Sequence, residues 1–276
     1  MLRLSVLMEN TAASDDFIAE HGLSFFLEFE DAVILFDTGE SGDFLINAAR
    51  MGIDLSRVTD IVLSHGHHDH AGGLAKTFEH LRAVKKQSAL PPLVAHPGVT
   101  TPRRKILTPS EDGKDIGMPL LCKEALASWP VRYSKEPFTI RKNCIFLGEI
   151  PHKYPALCSP VGEALGPNGF EKDMLPDDTA LAFITDKGLI VVAGCSHAGI
   201  INILAHAKDV TGIDNIRAVY GGLHFVSMPD TVKAHVTKAL QAEKLEELYA
   251  CHCTDHGLDN FPGQISLAAG MVHTFA

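Results

Sequence analysis

Six consecutive residues, His65-Gly66-His67-His68-Asp69-His70, carry the densest potential chemistry in the chain. They follow the apolar run Ile61-Val62-Leu63-Ser64 and lead into Ala71-Gly72-Gly73. A buried strand cannot cheaply hold polar side chains, so the cluster belongs just past the strand's carboxyl end, in the turn before a helix. That places imidazole or carboxylate donors at positions 65, 67, 69 and 70 within one turn. Such nitrogen and oxygen donors suit Zn, with Mn or Fe as alternatives. Two ligand pairs in one turn exceed the needs of one cation and point to two, roughly 3.5–4 Å apart as in two-metal hydrolytic sites. Histidine is 15 of the 276 residues, so one in any turn carries little meaning, but four in six positions beside an Asp and a Gly-Gly do.

One turn cannot close two coordination shells, so other strand ends must supply donors. Cys195 and His197 follow the most apolar strand in the chain, Leu189 to Ala193, and their spacing of two lets both side chains lean the same way. Of the pair, His197 is the expected ligand. Cys195 is either a further ligand or a small apolar filler of the strand end. His252 follows a strand at 248–251 and is a third candidate. A separate zinc site at Cys251-x-Cys253 is disfavoured, because both thiolates cannot share a face without forcing His252 away. His224 follows the strand 216–220 and the turn Gly221-Gly222. It is a candidate ligand, general acid or oxyanion partner, with a satisfied core histidine as the plainer alternative. Asp37 ends its own strand, where a carboxylate would accept the free ring N–H of a ligand histidine. Asp177-Asp178 precede the strand 179–185, and Asp178 would supply an oxygen ligand or hold a histidine. His21 is a rim residue, and His152 is a weaker ligand candidate.

The elements that must position these groups alternate between strand and helix. Residues 2–8, 24–29 and 32–36 read as strands, with Glu30-Asp31 as a hairpin turn. A helix over 43–51, with Asp43 as its N-cap, ends at Gly52. The strand 61–64, a helix over 72–82 and a strand at 93–95 follow. Residues 97–137 carry Pro, Gly and charge, with one helical stretch at 120–127, and read as an insertion near the active site. A Pro-rich stretch, 151–178, reads as the crossover between halves. Beyond it come strands at 179–185 and 189–193, a helix at 199–207, a strand at 216–220, a helix at 230–247, a strand at 248–251, a short helix at 262–269 and a strand at 271–275. Two stacked sheets with helices outside fit this order, an α/β four-layer αβ/βα sandwich over residues 1–276 as a single domain.

These residues resemble the metallo-β-lactamase superfamily. The pattern His65-x-His67-x-Asp69-His70 matches its signature, Val33 to Gly39 looks like its second-strand motif, and Gly188 to Cys195 looks like its late ligand-bearing strand. More narrowly, Glu20 to Ser24, Asp177 to Leu181, Gly194 to Gly199, Gly221 to His224 and His252-Cys253-Thr254 resemble one branch. Its members are labelled metal-dependent hydrolases, or are likened to an archaeal synthase joining a dihydropterin to ribofuranosyl-aminobenzene phosphate. The resemblance implies the sandwich fold and a dinuclear site with His65, His67, Asp69, His70 and His252 as ligands, whereas His197, expected as a ligand from its place after the strand, has no counterpart in most members. It departs at Cys195, where the superfamily commonly has a bridging Asp or, in some lactamases, a Cys ligand. With two ions bound, a metal-activated water follows, with Asp69 taking its proton, and His224 stands as a candidate general acid. The leading expectation is therefore a hydrolase of phosphoesters or phosphodiesters. A transferase condensing a dihydropterin pyrophosphate with an aromatic ribosyl phosphate is the second, and a non-hydrolytic di-iron redox protein the third.

Composition narrows the partners. With 34 acidic residues against 24 Lys and Arg, the formal net charge is −10, which argues against nucleic acid. Arg103-Arg104-Lys105 is a local exception and reads as a solvated loop in preference to a phosphate clamp. No run approaches the ~20 apolar residues of a membrane helix, the start of the chain is too short in apolar residues for a signal peptide, and the six cysteines show no disulfide framework. A cytoplasmic protein with reduced thiols and a small, phosphorylated substrate is expected, with assembly as a homo-oligomer left open. Replacing His67 or Asp69 by Ala is expected to abolish metal binding and activity together while leaving circular dichroism unchanged. Full metal occupancy in Asp69→Ala would refute the metal turn.

Overall fold

The computed structural model of the chain describes residues 1–85, 89–106, 113–254, 258 and 261–275. The chain divides into two compact units. The first holds Met1–Ser134, Val161–Asp173 and Ala268–Ala276, and the second Lys135–Pro160 and Met174–Leu267.

In the first unit β1 (Leu2–Met8), β2 (Ser24–Phe29) and β3 (Ala32–Phe36) form an antiparallel meander. The chain then runs through α1 (Phe44–Arg50), β4 (Asp60–Val62), α2 (His68–Ala71), α3 (Leu74–Lys85) and β5 (Leu93–Ala95). β3, β4 and β5 pair in parallel, as these intervening crossovers require. Phe26, Leu35, Ile61, Leu63 and Leu93 on one sheet face pack with Phe44, Leu74, Leu81 and Leu126 from the helices. Phe25, Leu27, Ile34 and Phe36, which alternate with them along the strands, are buried as well. Asp43 precedes α1 as expected, but its side chain makes no cap bond. It lies 3.5 Å from Lys76 Nζ.

The segment 97–137 does more than surround a site. It begins with β6 (Arg103–Lys105) and β7 (Lys114–Asp115), and α4 (Leu120–Ala127) and β8 (Val131–Tyr133) follow. Val99, Met118, Cys122, Leu126 and Trp129 join the core of the first unit. The Trp129 indole donates to the Pro91 carbonyl at 2.7 Å and leans on Phe78, ring centroids 5.0 Å apart. β8 extends the seven-stranded sheet beside β5 in parallel.

The second unit opens with a hairpin, β9 (Phe138–Arg141) and β10 (Cys144–Phe146), that sequence periodicity missed. The stretch 151–178 is not a plain crossover. It carries the hairpin β11 (Glu163–Gly166) and β12 (Gly169–Lys172), which pairs with β6 in the first unit's four-stranded sheet. The second unit's sheet continues as β13 (Ala180–Thr185), β14 (Gly188–Ala193), β15 (Ile216–Gly221) and β16 (Glu247–Ala250). β14, β15 and β16 are parallel neighbours, linked through α5 (Ile200–Thr211) and α6 (Asp230–Ala242). α5 presents Ile200, Ile203, Leu204 and Ala207 to this sheet, the 3.6-residue spacing of one buried stripe. Among the described residues, no helix is long and apolar enough to cross a membrane.

Three sequence expectations are corrected here. The helix expected over 230–247 stops at Ala242, because Lys244 turns left-handed (φ 56°) and Glu247 must begin β16. No helix forms over 262–269. Leu248 N donates to Gly263 O and Ile265 N to Leu248 O, so this backbone is committed to the edge of β16. The strand expected at 271–275 forms as β17 (Val272–Phe275), paired with β1. Finally, Arg103 is not part of a solvated loop. It is 2% exposed on β6, and its Nε meets Asp173 Oδ2 at 2.6 Å.

Breaking a buried ion pair by deleting one member strands the other charge, which costs ~3–5 kcal/mol. Asp173→Ala should therefore lower the unfolding free energy by about that amount in urea. Arg104→Ala, with its partly exposed Glu163 and its place over the Phe170 ring, should cost no more than ~2 kcal/mol. Equal, small effects would contradict the burial of Arg103.

Candidate metal centre

The polar side chains gather where parallel strands end. In the first unit β3 ends at Asp37 and β4 at the turn 64–70. In the second, β14 ends at Cys195–His197, β15 is followed by His224, and β16 by His252. In parallel sheets these carboxyl ends lie on one edge of the sheet, which is why unrelated stretches of sequence deliver donors to one rim within each unit.

In the first unit, Asp37 is the centre of the arrangement. It is fully buried and adopts a left-handed φ of 58°. Its Oδ1 accepts the Ser64 N–H at 2.7 Å, and its Oδ2 accepts the Ser64 hydroxyl at 2.7 Å. The same Oδ2 lies 2.7 Å from His70 Nδ1. The Ser64 hydroxyl has one proton and gives it to Asp37, so its oxygen accepts from His65 Nδ1, 2.9 Å away. Both rings therefore carry their proton on Nδ1 and keep the Nε2 lone pair.

These tautomers fit a divalent cation, since a ligating imidazole usually donates its other N–H to a fixed acceptor. His65 Nε2 and His67 Nδ1 converge to 3.0 Å. His70 Nε2 and Asp69 Oδ2 lie 3.8 Å apart. His65, His67, Asp69 and His70 are all buried, whereas His68 turns outward and meets Glu40 at 3.3 Å. His21 stands at the rim, 63% exposed, 3.7 Å from the Asp69 carboxylate. The turn is also pinned from the segment 97–137: His68 N donates to Ile116 O at 3.1 Å, and His67 bridges Gly117. Position 66 must be glycine, because a Cβ there would lie 1.9 Å from the Val99 carbonyl oxygen.

In the second unit, Ser196 turns left-handed (φ 58°) between Cys195 and His197. Asp178 Oδ2 accepts the Ala198 N–H at 2.8 Å, so this carboxylate braces the backbone that carries His197. Burial raises Asp178 to about 8, against the opposing backbone N–H groups of Ala198 and His197. His197 Nδ1 donates to the Ser159 carbonyl at 2.9 Å, which leaves Nε2 as its lone pair. His224 Nδ1 is 2.9 Å from Ser159 Oγ. Donor atoms of Cys195 and His252 lie within 4.8 Å of one another.

Cys253 faces inward among the same residues. Its Sγ receives the His224 N–H at 3.3 Å, and a Cβ on Gly222 would come within 2.4 Å of it. Burial alone would raise this thiol, but the Cys195 thiol and the imidazoles of His224 and His252 bring it down to about 5. His152 is placed elsewhere in the unit, lining a cavity of about 560 Å³ with Lys135, Glu149, Pro176 and His206.

Sequence reading missed Ser64 and Ser159 as organising residues. Ser64 was visible only as the last residue of the apolar run. Ser159 lies in a Pro-rich stretch with no period and no motif, so nothing local marked it.

Residues 18–90 match the model of the metallo-beta-lactamase superfamily. The chain is 29% identical to the 7,8-dihydropterin-6-methyl-4-(β-D-ribofuranosyl)-aminobenzene-5'-phosphate synthase of Methanocaldococcus jannaschii, over 94% of this chain and 90% of that one. The solved structure of Tm1679, described as a metal-dependent hydrolase of the β-lactamase superfamily, superposes with a TM-score of 0.83 at 28% identity, covering 100% of both chains. A diphosphatase of the PhnP family shares the fold at 14% identity, with a TM-score of 0.54 and coverage of 100% and 98%.

Asp37→Asn keeps the shape but places an NH₂ where Ser64 or His70 now donates. Divalent-metal affinity should fall ~10–100-fold, as for other residues that orient metal ligands. Competition with a chromophoric chelator measures it, and unchanged affinity would contradict the role given to Asp37.

Proposed function

We propose that this chain, whose residues 18–90 match the metallo-β-lactamase superfamily model, is a metal-dependent hydrolase acting on small phosphoester or phosphodiester substrates. The observation that carries this reading is the set of histidines whose Nδ1 protons are committed to fixed acceptors, leaving Nε2 of His65, His70 and His197 as donors. In this reading the donors for two divalent ions are His65, His67, Asp69 and His70 from the first unit, and Cys195, His197 and His252 from the second. Cys195 is included because its sulfur and a His252 nitrogen approach closely within their own unit. Zn suits this mixture of imidazole, carboxylate and thiolate, with Mn or Fe as the alternatives. Ions bound there supply a water of lowered pKa, near ~7, and positive charge against a developing oxyanion.

The protein's own groups do the rest. Asp69 holds a carboxylate beside the donor turn, where it takes the proton of the attacking water. Asp37 and Asp178 keep the ligand-bearing loops in place without reaching the reactants. His224 assists departure of the leaving oxygen. The acidic net charge of −10 suits a small substrate better than a nucleic acid. Six free cysteines are consistent with the cytoplasm.

A second reading is favoured by one observation, the 29% identity with the archaeal synthase over nearly the whole chain. The same donors would then serve a condensation of a dihydropterin pyrophosphate with an aromatic ribosyl phosphate. Turnover separates the two. With zinc- or manganese-loaded protein, a bis-aryl phosphodiester should be hydrolysed with water as sole acceptor, and Asp69→Ala should remove that activity. Turnover only when the aromatic ribosyl phosphate is added, with pyrophosphate released, would overturn the hydrolase reading in favour of the transferase.

A further inference from the structure

Ser159 touches two histidines at once, each through a different group. Its N–H donates to the His197 carbonyl at 2.7 Å, and its own carbonyl accepts from His197 Nδ1 at 2.9 Å. Its hydroxyl lies 2.9 Å from His224 Nδ1. The two imidazoles sit against each other, centroids 4.3 Å apart and tilted by 46°. All three residues are buried.

We infer that Ser159 is a positioning residue that holds His197 and His224 in opposite tautomers. A carbonyl can only accept, so His197 must carry its proton on Nδ1 and present the Nε2 lone pair. The hydroxyl is different, since it can donate or accept. Among the described residues its only hydrogen-bond partner is His224 Nδ1. If it accepted there, its own proton would be buried without an acceptor, which is the unfavourable case. It therefore donates, His224 Nδ1 is an acceptor, and the ring proton of His224 sits on Nε2. One serine thus sets one ring as an electron-pair donor and its neighbour as a proton donor. The left-handed φ of His224 (51°) is the backbone conformation in which its ring reaches Ser159. The consequence for specificity is chemical: His224 presents an N–H to the substrate, which suits a phosphoryl or leaving-group oxygen and does not suit a cation. This rests on the hydrolase reading for its catalytic meaning, but the tautomers themselves do not.

The test uses the full-length zinc-loaded protein, labelled with ¹⁵N in its histidines. Ring-nitrogen shifts from long-range ¹H–¹⁵N spectra, assigned with His197→Gln and His224→Gln, should show His197 protonated on Nδ1 and His224 on Nε2. In Ser159→Ala, His197 should be unchanged, since a backbone carbonyl fixes it, while His224 should become a mixture of tautomers. Metal content should stay the same, and kcat should fall ~10–100-fold with KM moving less than ~3-fold, as for loss of a residue that orients a catalytic group. Ser159→Thr, which keeps the hydroxyl, should recover most of kcat. An Nδ1-protonated His224 in the unaltered protein, or a Ser159→Ala protein with unchanged His224 shifts, would overturn the inference. The predicted shifts without any phosphodiester hydrolysis would support the tautomers and count against the hydrolase reading alone.

Discussion

A single buried carboxylate organises the metal turn. Asp37 sits at the carboxyl end of β3, out of solvent, and spends its two oxygens on Ser64 and His70. Through the Ser64 hydroxyl it also reaches His65. A buried charge of this kind is costly unless it is hydrogen-bonded and offset by positive charge nearby. The hydrogen bonds are present, and the lone pairs they leave on His65 and His70 are those a cation needs. The second unit repeats the device with other chemistry, since Ser159 and Asp178 there fix the ring and the backbone of His197.

The backbone shares in this arrangement. Asp37, Ser196, His224 and His252 all turn with φ between 51° and 58°, and each stands at or just beyond the end of a strand. Left-handed backbone at a non-glycine residue costs on the order of 1–3 kcal/mol, and such residues cluster at functional sites. The gain is direction. A strand continued in extended geometry alternates its side chains between faces, whereas a left-handed step at its end redirects the next side chain across the rim. Tight glycine contacts at positions 66 and 222 belong to the same economy of space, with the Val99 carbonyl and the Cys253 sulfur filling the room a Cβ would need.

What was legible in the sequence was local. The turn 65–70 could be read because its donors are contiguous, and the candidate donors 195, 197, 224 and 252 because each follows an apolar run. The parallel strands β4, β14, β15 and β16 were recognisable for the same reason, being apolar apart from Asp60, Arg217 and Glu247 near their starts. What failed depended on distant partners. Arg103 looked solvated because its carboxylate, Asp173, is 70 residues away. The tail at 262–269 looked helical because its backbone bonds to β16 leave no periodic trace. The hairpin β9–β10 is half exposed and short, so its alternation is weak. Ser159 acts through one hydroxyl and one carbonyl, and no residue pattern encodes a carbonyl.

The central claim is that imidazole and carboxylate donors, oriented in advance by buried acceptors, hold the catalytic cations. X-ray absorption at the metal K-edge of the protein loaded with zinc tests it most directly, together with the metal content per chain. The account predicts two ions per chain in shells of nitrogen and oxygen, with imidazole outer-shell scattering and no more than one sulfur between them. A sulfur-dominated shell, or a chain that binds no divalent metal, would contradict it.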